Sequence, residues 1–291
     1  MKFLKTVYIV VLLLSLSCQP SLAGDQITWL YSDFPPIFID SGPLKGKGFV
    51  DSIVQLLTNE LHDFDHDFLK VNAKRTFILL KKKEKVCYPA LLKIGNREKF
   101  IEFSTPANVM IPSCAIVPES ELEKFKPYMN QSGEFLFDKA IAESDLRVGI
   151  SAGRAYGAPI DKVLLKYQNN KNILKNYDVN LADILFTLMH SAKIDYVLGW
   201  PTEGQYYQKH SREKKSLICL PIKGMPEYVL GYIGLPKNDW GRRVINKINT
   251  ILDKNTKLPE YHSAYEFWLD SNSLQRYRKF AKEVYPDLNY D

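Results

Sequence analysis

Residues 87–118, CYPALLKIGNREKFIEFSTPANVMIPSCAIVP, decide how the rest of the chain is read. The stretch opens on a β-type apolar run from Cys87, which breaks at the polar turn Gly95-Asn96-Arg97-Glu98-Lys99. Phe100-Ile101-Glu102-Phe103-Ser104 then alternates apolar and polar residues, the period of a strand with one buried face. Thr105-Pro106 stops it, and a second apolar run, Cys114-Ala115-Ile116-Val117, ends at Pro118, which cannot donate to a strand ladder.

Upstream, Ile27–Tyr31 is almost wholly apolar, as a strand covered on both faces must be. It enters the stiff turn Ser32-Asp33-Phe34-Pro35-Pro36. After Gly46-Lys47-Gly48, the residues Phe49, Ile53, Leu56, Leu57 and Leu61 share one face of a helix, with Asp51 or Ser52 as its cap. The run His62–Asp67 alternates acids and histidines; no glycine follows at the position a calcium loop needs, so it reads as a solvated loop. Phe68–Ala73 is expected to be the second strand and Thr76–Lys83 the second helix, with Phe77 and Leu80 inward. Residues 25–115 thus read β-α-β-α-β, a parallel sheet carrying helices.

The pattern restarts after Pro118. Leu146–Ile150 is a strand that ends in Ser151-Ala152-Gly153-Arg154-Ala155-Tyr156-Gly157 and then starts a helix, where free N–H groups suit an anion. Asn180 caps a helix over 181–189, and Ile194–Leu198 is a strand ending at Gly199-Trp200-Pro201-Thr202-Glu203. Leu217–Ile222 is a short strand, and Glu227–Ile233 is expected to cross back to the first half. Asn238 or Asp239 caps a helix with Val244, Ile245, Ile248 and Leu252 inward, and two terminal helices follow.

Lys2 and Lys5 ahead of the short apolar stretch Val7–Leu16, with Ser21-Leu22-Ala23 behind it, make residues 1–23 a secretory signal peptide cleaved after Ala23. Lipidation at Cys18 is the lesser alternative, since Ser15 stands where a lipobox prefers Leu. Export implies an oxidising compartment. Of the four cysteines, Cys87 and Cys114 are the natural disulfide pair, each at the start of a β-type run in one half of the chain. The alternative is two separately buried thiols, and Cys219 reads as a small buried apolar side chain. No C-x-x-C pair, nucleophile elbow, His-Glu-x-x-His pair or phosphate loop is present, so no cofactor or metal is expected. The formal net charge of +6 is modest. Lys81-Lys82-Lys83 and His210–Lys215 read as solvated faces, not nucleic-acid patches.

The Arg97 turn, the strand Phe100–Ser104 and the Thr105-Pro106 stop resemble bacterial solute-binding protein family 3, the polar amino-acid class of periplasmic binding proteins. The resemblance covers about residues 25–285. It implies a two-lobed α/β chain of the type II periplasmic binding fold, each lobe a mostly parallel sheet flanked by helices, with two crossing segments as a hinge. Residues 24–117 would be the first part of lobe one, 118–228 lobe two, and 229–291 the return to lobe one with the C-terminal helices. It further implies that Arg97 grips a ligand carboxylate and that Phe34 stacks on the ligand. Three departures stand out. Tyr31 replaces an acid found in binders of basic side chains, Arg154 replaces a Thr or Ser, and Trp200 replaces the Asp that holds an ammonium. Arg97 and Arg154 are therefore expected to hold a small, partly anionic ligand, with Phe34, Tyr31, Tyr156 and Trp200 as stacking surface and Glu203 as a substitute amine partner. The implied protein is a periplasmic monomer and not an enzyme, serving an ABC transporter permease or a membrane sensor. The alternative is an enzyme on the same scaffold, similar to cyclohexadienyl dehydratases.

Overall fold

The computed structural model describes residues 25–177, 181–211 and 215–290. The leader, its cleavage point, Cys18 and the capping Asn180 lie outside these residues. The first sheet is built from β1 (Asp25–Tyr31), β2 (Phe64–Lys70) and β3 (Val86–Leu92), with α1 (Phe49–Glu60) and α2 (Ala73–Lys81) as crossovers. β1 pairs in parallel with both β2 and β3. Ile27 and Trp29 enter one core cluster and Leu30 another, so β1 is covered on both faces, which is why it reads as unbroken apolar sequence.

β4 (Ile101–Phe103) and β5 (Asn108–Met110) follow, and the chain then leaves for a second sheet. That sheet holds β6 (Cys114–Pro118), β7 (Val148–Ser151), β8 (Ile173–Asn176), β9 (Tyr196–Gly199) and β10 (Leu217–Leu220), in the order β10-β6-β9-β7-β8. Its helices are α3 (Phe137–Glu143), α4 (Ala158–Lys166), α5 (Leu181–His190) and α6 (Pro201–His210). Phe125 and Phe135 pack edge-on to Tyr196, at 5.7 and 5.5 Å between ring centroids, and anchor this lobe's core. β11 (Val229–Pro236) returns to the first sheet between β3 and β4 and also pairs with β5. The chain ends in α7 (Asp239–Asn255), α8 (Pro259–Glu266) and α9 (Ser271–Val284). Asn238 caps α7 by accepting from the Gly241 N–H, and the expected stripe Val244, Ile245, Ile248 and Leu252 is buried.

Four expectations need correction. The sheets are mixed, because β11 joins the first and β6 and β10 join the second antiparallel to their neighbours. The first crossing falls at 111–113, not after Val117, because β6 is hydrogen-bonded into the second sheet. His66 and its acidic neighbours lie on edge strand β2 rather than in a loop; the His66 Nδ1 accepts from Trp29 Nε1 at 3.0 Å. Finally, the disulfide is Cys114–Cys219, with Cα atoms 5.8 Å apart, and Cys87 is free and fully buried. The reason is topological: Cys114 stands on β6 beside β10, which carries Cys219, whereas Cys87 faces the core of the other lobe. Burial pushes the Cys87 thiol well above its usual range, which makes it inert.

Non-reducing peptide mapping should therefore recover Cys114 linked to Cys219, with Cys87 alkylated only after denaturation. Cys219→Ser should lower unfolding stability by about 2–5 kcal/mol. A mapped Cys87–Cys114 link would contradict this topology.

Candidate functional site

Parallel pairing puts like ends of neighbouring strands side by side. The turns after β1 and β3 therefore leave lobe one at one edge, and those after β7 and β9 leave lobe two at one edge. These are carboxyl ends, where open α/β sheets bind ligands. The four turns carry Phe34, Arg97, Arg154 and Trp200 respectively.

On the lobe-one side, the Phe34 backbone is tied to Phe38 in a tight loop and its side chain stays partly exposed. Phe38 packs between Tyr31 and Tyr88, at 6.5 and 6.2 Å between ring centroids. Arg97 sits in a 3₁₀ turn, Gly95–Lys99. Its Nη1 donates to the Leu92 carbonyl at 2.8 Å, and its guanidinium lies over the Phe77 ring at 4.6 Å. Partial burial pulls the Arg97 pKa below its usual range, with Tyr88 acting the other way. Burial pushes the Tyr88 phenol up, countered by Ser32 and Arg97. Tyr88, Phe77 and Ser32 are thus neighbours of Arg97 that the sequence reading missed; the parallel register of β1 and β3 brings Ser32 near Tyr88, and α2 supplies Phe77.

On the lobe-two side, Arg154 and Glu203 find each other. Nη1 meets Oε1 and Nη2 meets Oε2, both at 2.7 Å, a two-pronged pair with the acid almost fully buried. Glu203 Oε2 also accepts from the Trp200 N–H at 2.6 Å, closing the first turn of α6. A Cβ on Gly199 would stand 2.8 Å from that oxygen, so the close approach needs glycine there. Burial lowers the Arg154 pKa, but the Glu203 carboxylate more than offsets it and leaves it raised. Tyr156 is buried beneath Arg154, ring to guanidinium 5.0 Å, and its hydroxyl oxygen accepts from the Ser151 N–H at 2.7 Å.

Across the lobes, Arg154 lies over the Phe34 ring at 5.6 Å, and Trp200 packs against the lobe-one core. Phe34, Arg154, Tyr156, Trp200 and Glu203 are therefore brought together. Arg97 stands on the neighbouring lobe-one turn, and Tyr31 lines a separate lobe-one cavity of about 420 Å³ beside Asp51. The pairing of Arg154 with Glu203 was not foreseen. Each had a local role in the sequence, and they are 49 residues apart. Among the described residues, no group of three or more His, Cys, Asp or Glu side chains is placed to hold a metal, and no helix is long and apolar enough to cross a membrane.

No protein-family model matches the chain, and no curated protein matches it. Solved structures do. An ancestral cationic amino acid solute-binding protein superposes with a TM-score of 0.62 at 16% identity, over 85% of this chain and 96% of that one. The probable amino-acid ABC transporter extracellular-binding protein ytmK of Bacillus subtilis gives 0.60 at 16%, over 86% and 99%. An arginine third transport system periplasmic binding protein from Legionella pneumophila gives 0.53 at 17%, over 84% and 99%. At these identities the likeness is one of fold. The chain has the two-lobed fold of amino-acid solute-binding proteins, as the Arg97 stretch led one to expect.

Glu203→Gln should leave the Arg154 guanidinium buried without its counter-charge and cost about 3–5 kcal/mol of stability. The double substitution Arg154→Met, Glu203→Leu should recover most of that loss, because an apolar pair removes both charges. Denaturant melts of the three proteins check it; a single variant as stable as wild type would mean that water reaches the pair.

Proposed function

We propose that this chain is an exported solute-binding protein of the family-3 kind, which captures a small carboxylate-bearing ligand between its lobes for an ABC importer or a membrane sensor. The observation that carries the reading is the meeting of strand-end turns from the two lobes, with Phe34 of one lobe against Arg154 of the other and Trp200 against the lobe-one core.

The ligand class follows from charge. Arg154 is neutralised by Glu203, so the lobe-two wall offers no net charge. Arg97 keeps its charge with no ion pair to any described residue, and its hydrogen bond to Leu92 pre-orients the fork for a carboxylate. Phe34 and Trp200 suit an apolar or aromatic ligand body. Two of the structural neighbours carry cationic amino acid or arginine in their names; here Glu203, the buried acid at the site, is already held by Arg154. The same fact favours binding over turnover. Both Glu203 oxygens already accept hydrogen bonds, which leaves no free geometry for general-acid work.

Calorimetric titration with a panel of small carboxylates tests the reading. For a ligand that wild type binds, Arg97→Ala should lose roughly 30- to several-thousand-fold in affinity, about 2–5 kcal/mol, with little change in thermal stability. Arg97→Lys keeps the charge without the fork and should rescue only part. Equal affinities in wild type and Arg97→Ala, or formation of a product from the ligand, would sink the proposal. Small-angle scattering should also show a smaller radius of gyration at saturation, as hinge closure demands.

A further inference from the structure

A second cavity, of about 320 Å³, lies where both crossing segments meet the last helix. Ser113 comes from the first crossing, Met225 and Glu227 from the second, Glu134 from lobe two, and Arg276 from α9. None of its lining residues belongs to the interlobe site described above. Its volume falls at the small end of the range for metabolite pockets, about 300–1,000 Å³.

Arg276 is the unusual member. It is half-buried, yet its guanidinium makes no hydrogen bond or ion pair with any described residue. Burial pulls its pKa below the usual range, while Asp270, Glu227, Tyr265 and Glu134 act from nearby in the opposite direction. Glu134 Oε2 accepts from Asn130 Nδ2 at 2.7 Å, and its other oxygen has no partner among the described residues. Glu227 is exposed at the rim. Asp270 caps α9 and does not line the cavity, so within it the partly buried cation shares the lining with two carboxylates, Glu134 and Glu227, and touches neither. The floor between them is apolar, formed by Ile222, Met225 and Phe280.

We propose that this hinge cavity binds a small zwitterion, its carboxylate on the Arg276 guanidinium and its ammonium between Glu134 and Glu227. A simple anion would meet two like charges there, and a simple cation would meet Arg276; a molecule carrying both charges satisfies all three groups. Such a ligand spans lobe one, lobe two and a crossing segment, so its binding depends on the hinge angle. Met225 extends the link to the main site. Its Cε would stand 2.8 Å from a Cβ on Gly157, whose φ of +118° belongs to glycine. Met225 thus packs on the turn that carries Arg154, and occupancy of the hinge cavity biases the interlobe site.

Calorimetric titration of L-alanine, acetate and methylammonium into the full chain tests this. L-alanine should bind saturably and at least about tenfold more tightly than either half-ligand. Arg276→Gln and Glu227→Gln should each weaken it roughly tenfold. Thermal melts establish folding, and Glu227→Gln, at an exposed side chain, carries the comparison if Arg276→Gln does not fold. No binding of L-alanine, equal binding of acetate, or indifference to the substitutions overturns the proposal. So does an isotherm that Arg97→Ala abolishes and Arg276→Gln leaves intact, since that places the molecule in the interlobe site.

Discussion

The molecule depends on how the chain crosses between its two sheets. It leaves through β5 and β6 and returns through β10 and β11, and the two passages are antiparallel partners on both sides, β5 with β11 and β6 with β10. The hinge is therefore a two-stranded ribbon, and the Cys114–Cys219 bond clasps its lobe-two end. Between the two sheets the ribbon runs through 111–113 and 221–228. On this frame the turn after β1 meets the turn after β7, with Phe34 under Arg154, and Trp200 after β9 packs on the lobe-one core.

Charge then shapes what that surface can hold. A buried guanidinium–carboxylate pair contributes little net stability against an apolar substitute, yet losing one partner is costly. The Arg154–Glu203 pair therefore stands less as a source of stability than as a fixed wall, tying the turn after β7 to the start of α6. With that wall neutral, the proposed reading assigns the charge to Arg97. Its ring contact and carbonyl hydrogen bond hold its side chain in place, which on the proposed reading reduces the entropy lost in gripping a ligand.

Much of this was legible in the sequence where the cause is local. The stripe of α7, its Asn238 cap and the covered strand β1 follow from periodicity and capping chemistry. β2 was not legible in full, because as an edge strand it exposes most of its side chains and its His-Asp alternation imitates a solvated loop. The cysteine pairing failed for a different reason. Proximity in sequence favoured Cys87 for Cys114, while the true partner is 105 residues away and becomes a neighbour only once β6 is assigned to the second sheet. The Arg154–Glu203 pair was hidden in the same way, since each residue had a sufficient local explanation.

Native mass spectrometry of the protein as purified tests the central claim most directly. The account predicts a non-covalent adduct that releases a small carboxylate on activation, present on wild type and depleted on Arg97→Ala. An adduct that is a simple cation, or one retained in full by Arg97→Ala, would contradict it.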